Sequence, residues 1–245
     1  MQEYLYRELY DLESKHWWFV AKKKIVLSLV KKYINYNKSN KILDAGCGSG
    51  LMLNDLKEFG QVYGMDYSKE AIKFSKLIFD GEVRQGYIPG NIPYNKNYFN
   101  GIIALDVIEH IENDQEALID LKEHLTDNGV CVITVPAYMS LWSNHDVVHQ
   151  HKRRYKLSEL KEKILCAGFK IEKISYYNSI LFFPIFITRQ IYKLFKIENG
   201  SDAEMPNILV NFVLKHIFSS ERYILRSFNM HFGVSIIAVV RRLDQ

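Results

Sequence analysis

Four short apolar runs, "KILDAG", "VYGMD", "GIIALD" and "GVCVITV", recur between Lys41 and Val135, and each gives way to a stretch with helical patterning. Strands spaced by helix-length segments cannot close as hairpins. They form parallel βαβ units, with helices on both faces of one sheet. The spacing predicts one helix over 17–34, with Val26, Leu29, Val30 and Tyr33 on a stripe behind Trp17, Trp18 and Phe19. Others open near Gly50 and near Ser68, and two more span about Asn113–Leu125 and Leu157–Ala167. Asp127-Asn128-Gly129 reads as a turn that stops the chain before the fifth strand.

The rhythm changes in the tail. "FKIEKISYY" and "GVSIIAVVRR" read as two further strands, with a mostly helical excursion between them. Ile208, Leu209, Phe212, Val213, His216 and Ile217 share one face of it. Connections of that length usually carry function. The predicted organisation is a helical cap over 1–39, an α/β domain over 40–178 plus 231–245, and a helical insert over 179–230.

Composition sets bounds. The 245 residues are 48% hydrophobic and 24% charged, enough to bury a substantial core in a soluble domain. A net charge of +4 implies no strongly acidic partner, and Lys22–Lys24 and Lys152-Arg153-Arg154 read as solvated faces. Three cysteines without a CxxC pair predict a reducing, cytoplasmic setting and no zinc site. The opening residues lack a secretory pattern. The longest apolar run, Ile180–Ile187, contains Pro184 and is far short of the about 20 residues that cross a bilayer.

Three glycines, Gly46, Gly48 and Gly50, fall where the first strand should hand over to helix. Glycine tolerates positive φ and lets a ligand approach the backbone. The loop reads G-x-G-x-G, not the G-x-G-x-x-G of a dinucleotide site, and no Gly-Lys-Ser/Thr follows to cradle phosphate. Asp44 precedes it by two residues. A carboxylate there suits a cationic amino group and repels a pyrophosphate. Asp66 ends "VYGMD", 22 residues after Asp44, where a carboxylate can accept from both hydroxyls of a ribose.

With "GIIALDVIEHI" and "GVCVITVPAY", these segments closely resemble the successive motifs of class I S-adenosylmethionine-dependent methyltransferases over residues 40–177 and again at the last strand. The resemblance implies a doubly wound, seven-stranded, mostly parallel Rossmann-like sheet whose seventh strand is antiparallel and inserted beside the sixth. It implies S-adenosylmethionine as cofactor. Asp44, Ala45, Gly46, Cys47, Gly48 and Gly50 would hold its methionine part, Asp66 and Tyr67 its ribose, and Tyr87 or Ile88 its adenine. Leu105, Asp106, Val107 and His110 would line the methyl end. Relatives often carry an acid near Tyr87 for the adenine amino group, and "RQGYIPGNIPY" supplies none. The pairing of "HWWF" with "VPAYMSLWSNHDVVHQHKRRY" resembles a bacterial and archaeal subgroup of that family.

The acceptor is less defined. The Asp/Asn-Pro-Pro-Tyr/Phe box of enzymes that methylate nucleic-acid amino groups is absent, and so is a basic patch interleaved with aromatics, which argues against DNA and RNA. His145, Asp146, His149 and His151 crowd the segment after the fifth strand. Histidine is suited to taking a proton near neutral pH, which marks His145 and His149, with Tyr155, as catalytic candidates for methylation at oxygen. The bland alternative is that His145 and Asp146 pin a loop while Arg154 and Tyr155 cap the next helix; a His/Asp/His metal site is a further alternative, and no metal is expected. "SILFFPIFITRQIYKLF", with Arg189, Lys193 and Lys196, suits a helix at a membrane's inner face, a lid or a dimer face. The expected acceptor is a small molecule or a lipid- or glycan-linked one. A non-catalytic cofactor-binding module that docks on membranes, and a nicotinamide oxidoreductase, are the competing readings.

Overall fold

The computed structural model describes residues 10, 12–195 and 205–243. Lys196 and most of the opening segment of the predicted cap lie outside them. In chain order the elements are α1 (Trp17–Tyr33), β1 (Lys41–Ala45), α2 (Leu53–Leu56), β2 (Gln61–Asp66), α3 (Lys69–Ile78), β3 (Glu82–Gln85) and β4 (Phe99–Leu105). Then come α4 (Asp114–His124), β5 (Leu125–Pro136), α5 (Asn144–Val148), α6 (Leu157–Cys166), β6 (Phe169–Tyr177), α7 (Phe182–Phe195), α8 (Ile208–Leu225) and β7 (Ser235–Arg242).

The strands form one seven-stranded sheet in the order β3-β2-β1-β4-β5-β7-β6. The first five are parallel, and β7 runs antiparallel between β5 and β6. Successive side chains of a strand face opposite sides of the sheet. Ile42 therefore belongs to the buried cluster that includes Ala21, Ile25 and Leu29 of α1 and Phe218 of α8, while Leu43 belongs to the one that includes Leu118 and Leu121 of α4 and Leu160 of α6. Both faces are covered, which is why "KIL" and "GII" read as unbroken apolar runs.

Side-chain caps place several helices where the sequence predicts them. Ser68 accepts from the Ala71 N–H at the start of α3, Asn113 from the Glu116 N–H at the start of α4, and Asn207 from the Val210 N–H at the start of α8. Two expectations fail. The helix predicted from Gly50 amounts to the single turn Leu53–Leu56, because Gly46, Gly48 and Gly50 all take positive φ and hold the preceding backbone out of helix. The turn at Asp127-Asn128-Gly129 does not interrupt the chain before the strand. β5 runs through it from Leu125, Asn128 takes a φ of 61°, and the register against β4 shifts between Phe99 and Gly101.

The helical excursion is anchored at both ends. Trp17 and Trp18 of α1 meet Phe218 of α8 at ring distances of 5.9 and 5.2 Å, and Asn211 accepts from the Trp17 N–H at 2.8 Å. The buried carboxylate of Glu221 receives the N–H groups of Asn178, Ser179 and Ile180. Helix α7 contains no buried residue. Among the described residues, no helix is long and apolar enough to cross a membrane.

Candidate active site

At the carboxyl ends of β1, β2 and β4 the sheet opens into a crevice of about 1280 Å³, roofed by α1 and α7. Crevices at this position are where doubly wound sheets bind ligands. Its walls include Asp44, Gly46, Cys47, Gly48, Asp66, Tyr67, Tyr87, Ile88, Leu105, Asp106, Val107, His110, His145 and His149. Ala45 is fully buried inside the sheet and does not line it, and Gly50 does not line it either.

The three glycines divide by what surrounds them. A Cβ on Gly46 would meet Val107 Cγ2 at 2.5 Å, and one on Gly50 would meet the Cα and Cβ of Ser75, on α3, at 3.1 Å. Those two positions let protein pack against protein. At Gly48, with φ at 54°, the nearest atom would be Glu13 Oε1 at 3.9 Å, so only the middle glycine offers open backbone to a ligand.

Asp66 fixes this loop. Its Oδ2 accepts from the Gly48 N–H at 2.9 Å and its Oδ1 from the Ser68 N–H at 2.8 Å, while the Gly46 and Cys47 N–H groups donate to the Met65 carbonyl. Lone pairs remain on both oxygens for further donors. Glu13, in a helical stretch just before α1, leans over the loop and receives the Ser49 hydroxyl. Glu13, Asp44 and Asp66 thus converge on one side of Gly48. Burial, then the charges of Asp66 and Glu13, push the Asp44 carboxyl up to about 7. Burial foremost pushes Glu13 up to about 7 as well, and Asp66 is raised by the same cause. Two buried acids and a half-buried one that resist ionising together make a site electrostatically short of a cation.

At the tip of β4, Asp106 takes a left-handed φ of 52°, receives the Thr134 hydroxyl at 2.8 Å and pairs with the ammonium of Lys22 on α1. Lys22 is buried, so the predicted solvated face is wrong at this position. Trp18 and Lys22 stand four apart on the stripe that continues through Val26, which points Lys22 inward. In the second basic run Lys152 is exposed as expected, but its neighbours are not. Arg154 is buried against Asp146, and Arg153 pairs with Asp114 at 2.9 Å.

The histidine segment folds onto this end. Asp146 accepts a fork from Arg154 (Nε at 2.7 Å, Nη2 at 3.0 Å), lies 2.8 Å from His151 Nδ1, and caps α5 by accepting from the Ser143 N–H at 2.7 Å. Asp146 therefore pins a loop and does not sit between His145 and His149 as a shared ligand. The rings of His145 and His149 lie 4.1 Å apart, and His110 and His151 meet edge-on at 4.7 Å. Burial, followed by neighbouring imidazoles, lowers His149 to about 4 and holds His145 well below the ordinary imidazole value. Burial and His151 lower His110 to about 4. These three rings are neutral at pH 7.

Tyr155 does not belong to this group. It is fully buried under the sheet, and its hydroxyl donates to Asp114 at 2.8 Å, away from the crevice. Helix α6 begins from Lys156 with no side-chain cap, so neither Arg154 nor Tyr155 caps it. Sequence reasoning overlooked Glu13, Lys22 and Glu109. Helical spacing could have flagged Lys22, but no local pattern marks Glu13 or Glu109.

Residues 15–178 match the family described as "Methyltransferase domain". The chain is 25% identical over 167 residues to a ubiquinone biosynthesis O-methyltransferase of Rickettsia typhi, covering 61% of this chain and 68% of that protein. It is 29% identical over 163 residues to an uncharacterized protein of Methanocaldococcus jannaschii, covering 64% and 66%. Among solved structures, the phosphoethanolamine N-methyltransferase 2 of Haemonchus contortus in complex with S-adenosyl-L-methionine superposes with a TM-score of 0.56 at 15% identity, over 89% of this chain and 52% of that one. That likeness extends to the fold and no further. The match over residues 15–178 carries the assignment: this chain belongs to the methyltransferase-domain family.

Proposed function

We propose that the chain transfers a methyl group from S-adenosylmethionine to an oxygen atom of a small or lipid- or glycan-linked acceptor. The convergence of Glu13, Asp44 and Asp66 around Gly48 carries this reading. A nucleotide phosphate would add negative charge to three acids, whereas an amino acid that bears an ammonium and a sulfonium relieves them. Gly48 offers backbone, Asp66 has lone pairs for a ribose, and Tyr67, Tyr87 and Ile88 supply an apolar flank for a base.

The bound donor supplies a methyl already activated on sulfur, so transfer forms one O–C bond and breaks one S–C bond. The protein's part is to align the two reactants and exclude water, with near-attack positioning worth up to ~7–11 kcal/mol. An acceptor hydroxyl must also shed its proton. His145, whose Nδ1 is buried without a hydrogen-bond partner among the described residues, and His149 beside it are the imidazoles placed to take it. The similarity to ubiquinone biosynthesis O-methyltransferases supports oxygen as the atom.

Walls of Trp17, Trp18, Phe19, Leu181, Ile185 and Leu214 favour an acceptor with an apolar body. Phe183, Ile187 and Leu194 of α7 stand exposed beside the crevice mouth, which supports delivery from a lipid surface. Flotation with anionic liposomes tests that part, and protein left wholly in solution removes it.

Calorimetry with S-adenosylmethionine, followed by transfer of labelled methyl into a polar and lipid extract, tests the whole. His145→Ala should keep donor affinity and lose rate. Undiminished turnover in that variant would refute the base assignment, and silent calorimetry would sink the donor. Saturable donor binding with no transfer to any extract would favour a non-catalytic cofactor-binding module.

A further inference from the structure

We propose that Glu109, His110 and His151 form a binding site for one divalent transition-metal ion in the wall of the crevice, at its acceptor end. One ligand atom from each of the three lies within 4.8 Å of the others. Ligands about 2.1 Å from a tetrahedral ion stand about 3.4 Å from one another, a difference that small side-chain rotations close. Two imidazoles and one carboxylate form a donor set that suits zinc, iron(II) or cobalt(II), with positions left over for a substrate.

Glu109 is the observation that demands an explanation. Its side chain is fully buried, and neither carboxylate oxygen has a hydrogen-bond partner among the described residues. A buried acid left in that state is costly, and native structures rarely retain one without a reason. His110 and His151 line the crevice in front of it, so an ion bound by all three would have open positions toward the crevice.

The surroundings are those of ligands already oriented for a metal. His151 Nδ1 lies 2.8 Å from Asp146, which leaves Nε2 for an ion, and Asp146 is itself held by the Arg154 fork. The His110 ring bonds to the backbone of Gln150. The backbone carbonyl of Glu109 receives the Lys152 N–H at 2.9 Å, which ties the 3-10 turn Ile108–His110 that carries the carboxylate to the histidine segment. Carboxylate or carbonyl partners on the second ring nitrogen are a regular feature of metal-binding histidines.

An ion at this point would polarise an acceptor hydroxyl and fix its oxygen against the methyl end. That use rests on the methyl-transfer reading above; the ion's binding does not.

The test uses the full chain, stripped with chelator and titrated with Co²⁺ alone, followed by visible ligand-field absorption and by metal content after desalting. One equivalent per chain is expected, displaceable by Zn²⁺. Glu109→Gln and His151→Ala should each weaken binding at least tenfold, while His216→Ala, on exposed α8, should leave it unchanged. Circular dichroism checks the fold of each variant, and should Glu109→Gln not fold, His151→Ala decides. Absence of saturable Co²⁺ binding in the parent chain, or equal binding by a folded His151→Ala, overturns the site. Donor calorimetry runs in parallel. Donor binding without metal binding removes only the metal site, and metal binding without donor binding removes only the proposed function.

Discussion

Lys22, on the first helix, holds Asp106 at the tip of β4 in an ion pair on the crevice wall. The contact fastens the N-terminal helix to the end of the sheet where the methyl group is proposed to lie. Burial alone would raise the Asp106 carboxyl, but the Lys22 charge and hydrogen bond, with Thr134, hold it below the usual carboxylate range. Removing one partner of a buried pair leaves the other charged and unmatched, at up to 3–5 kcal/mol. Asp106 is partly solvated, so Lys22→Met should cost less, about 1–3 kcal/mol, read as a shift in the urea midpoint at pH 7. A carboxyl with a depressed pKa contributes stability above its unfolded value near 4 and loses it as pH falls through the folded one. The gap between parent and Lys22→Met should therefore narrow between pH 5 and pH 3.

Asp44 and Glu13 show the opposite sign. Both are raised to about 7, so the folded chain holds protons there that the unfolded chain has released above about pH 4. Their contribution is full below about pH 4 and is lost as pH rises through 7. A cationic donor reverses the preference by favouring the ionised forms. Donor affinity should rise on the order of tenfold between pH 6 and pH 8 for each carboxyl that must ionise. Binding should also release protons, visible as a calorimetric enthalpy that changes with the buffer's ionisation heat. Asp44→Asn removes both the burial cost and the repulsion. It should keep or raise the melting temperature without ligand while weakening donor binding, the trade expected where a site stores destabilisation for function.

The sheet was largely readable from the chain because its strands are buried on both faces and its helices are capped by Ser68, Asn113 and Asn207, all local signals. The strand-tip acids and glycines were readable for a similar reason, since topology fixes what lies at the carboxyl end of each strand. What escaped depends on contacts between distant segments. Lys22 looked like one of three solvated lysines until Asp106, 84 residues away, gave it a partner. Tyr155 shares a short segment with His149 and His151, yet the chain turns it under the sheet to Asp114. Glu109 follows the strand-tip acid by three residues, and nothing in its neighbours announces a fully buried carboxylate. Periodicity reports which face of an element is covered; it does not report by what.

The glycines make separable predictions. Gly46→Ala and Gly50→Ala each force a Cβ into protein, Val107 at 2.5 Å and the α3 backbone at 3.1 Å, from backbones with φ of 85° and 93°. Both variants should lose several kcal/mol of stability or fail to fold. Gly48→Ala meets only an ordinary contact with Glu13 Oε1 at 3.9 Å and a left-handed conformation, which costs an alanine roughly 1–2 kcal/mol. That variant should melt a few degrees lower, remain folded, and bind the donor at least tenfold more weakly. Thermal denaturation paired with donor calorimetry separates the cases. A Gly48→Ala protein with unchanged donor affinity would show that the middle glycine serves the turn and not the ligand.

Glu221 sets the geometry of the helical excursion by a different device. Its buried carboxylate accepts three consecutive backbone N–H groups, from Asn178 at 2.6 Å, Ser179 at 2.7 Å and Ile180 at 2.8 Å, where β6 ends and the chain turns into α7. Burial raises its pKa, and the three donors pull against that shift. Glu221→Gln keeps one acceptor oxygen and should cost about 1–2 kcal/mol, whereas Glu221→Ala strands three buried donors and should cost about 3 kcal/mol or more. The consequence for function is spatial. Leu181, Ile185 and Arg189, which wall the crevice, follow directly from this anchor. Loss of Glu221 should therefore raise the KM for an apolar acceptor more than it weakens the donor, whose proposed contacts follow β1 and β2. Steady-state kinetics on Glu221→Gln would check this, and an equal loss for donor and acceptor would mean that the anchor supports the whole crevice and not its acceptor half.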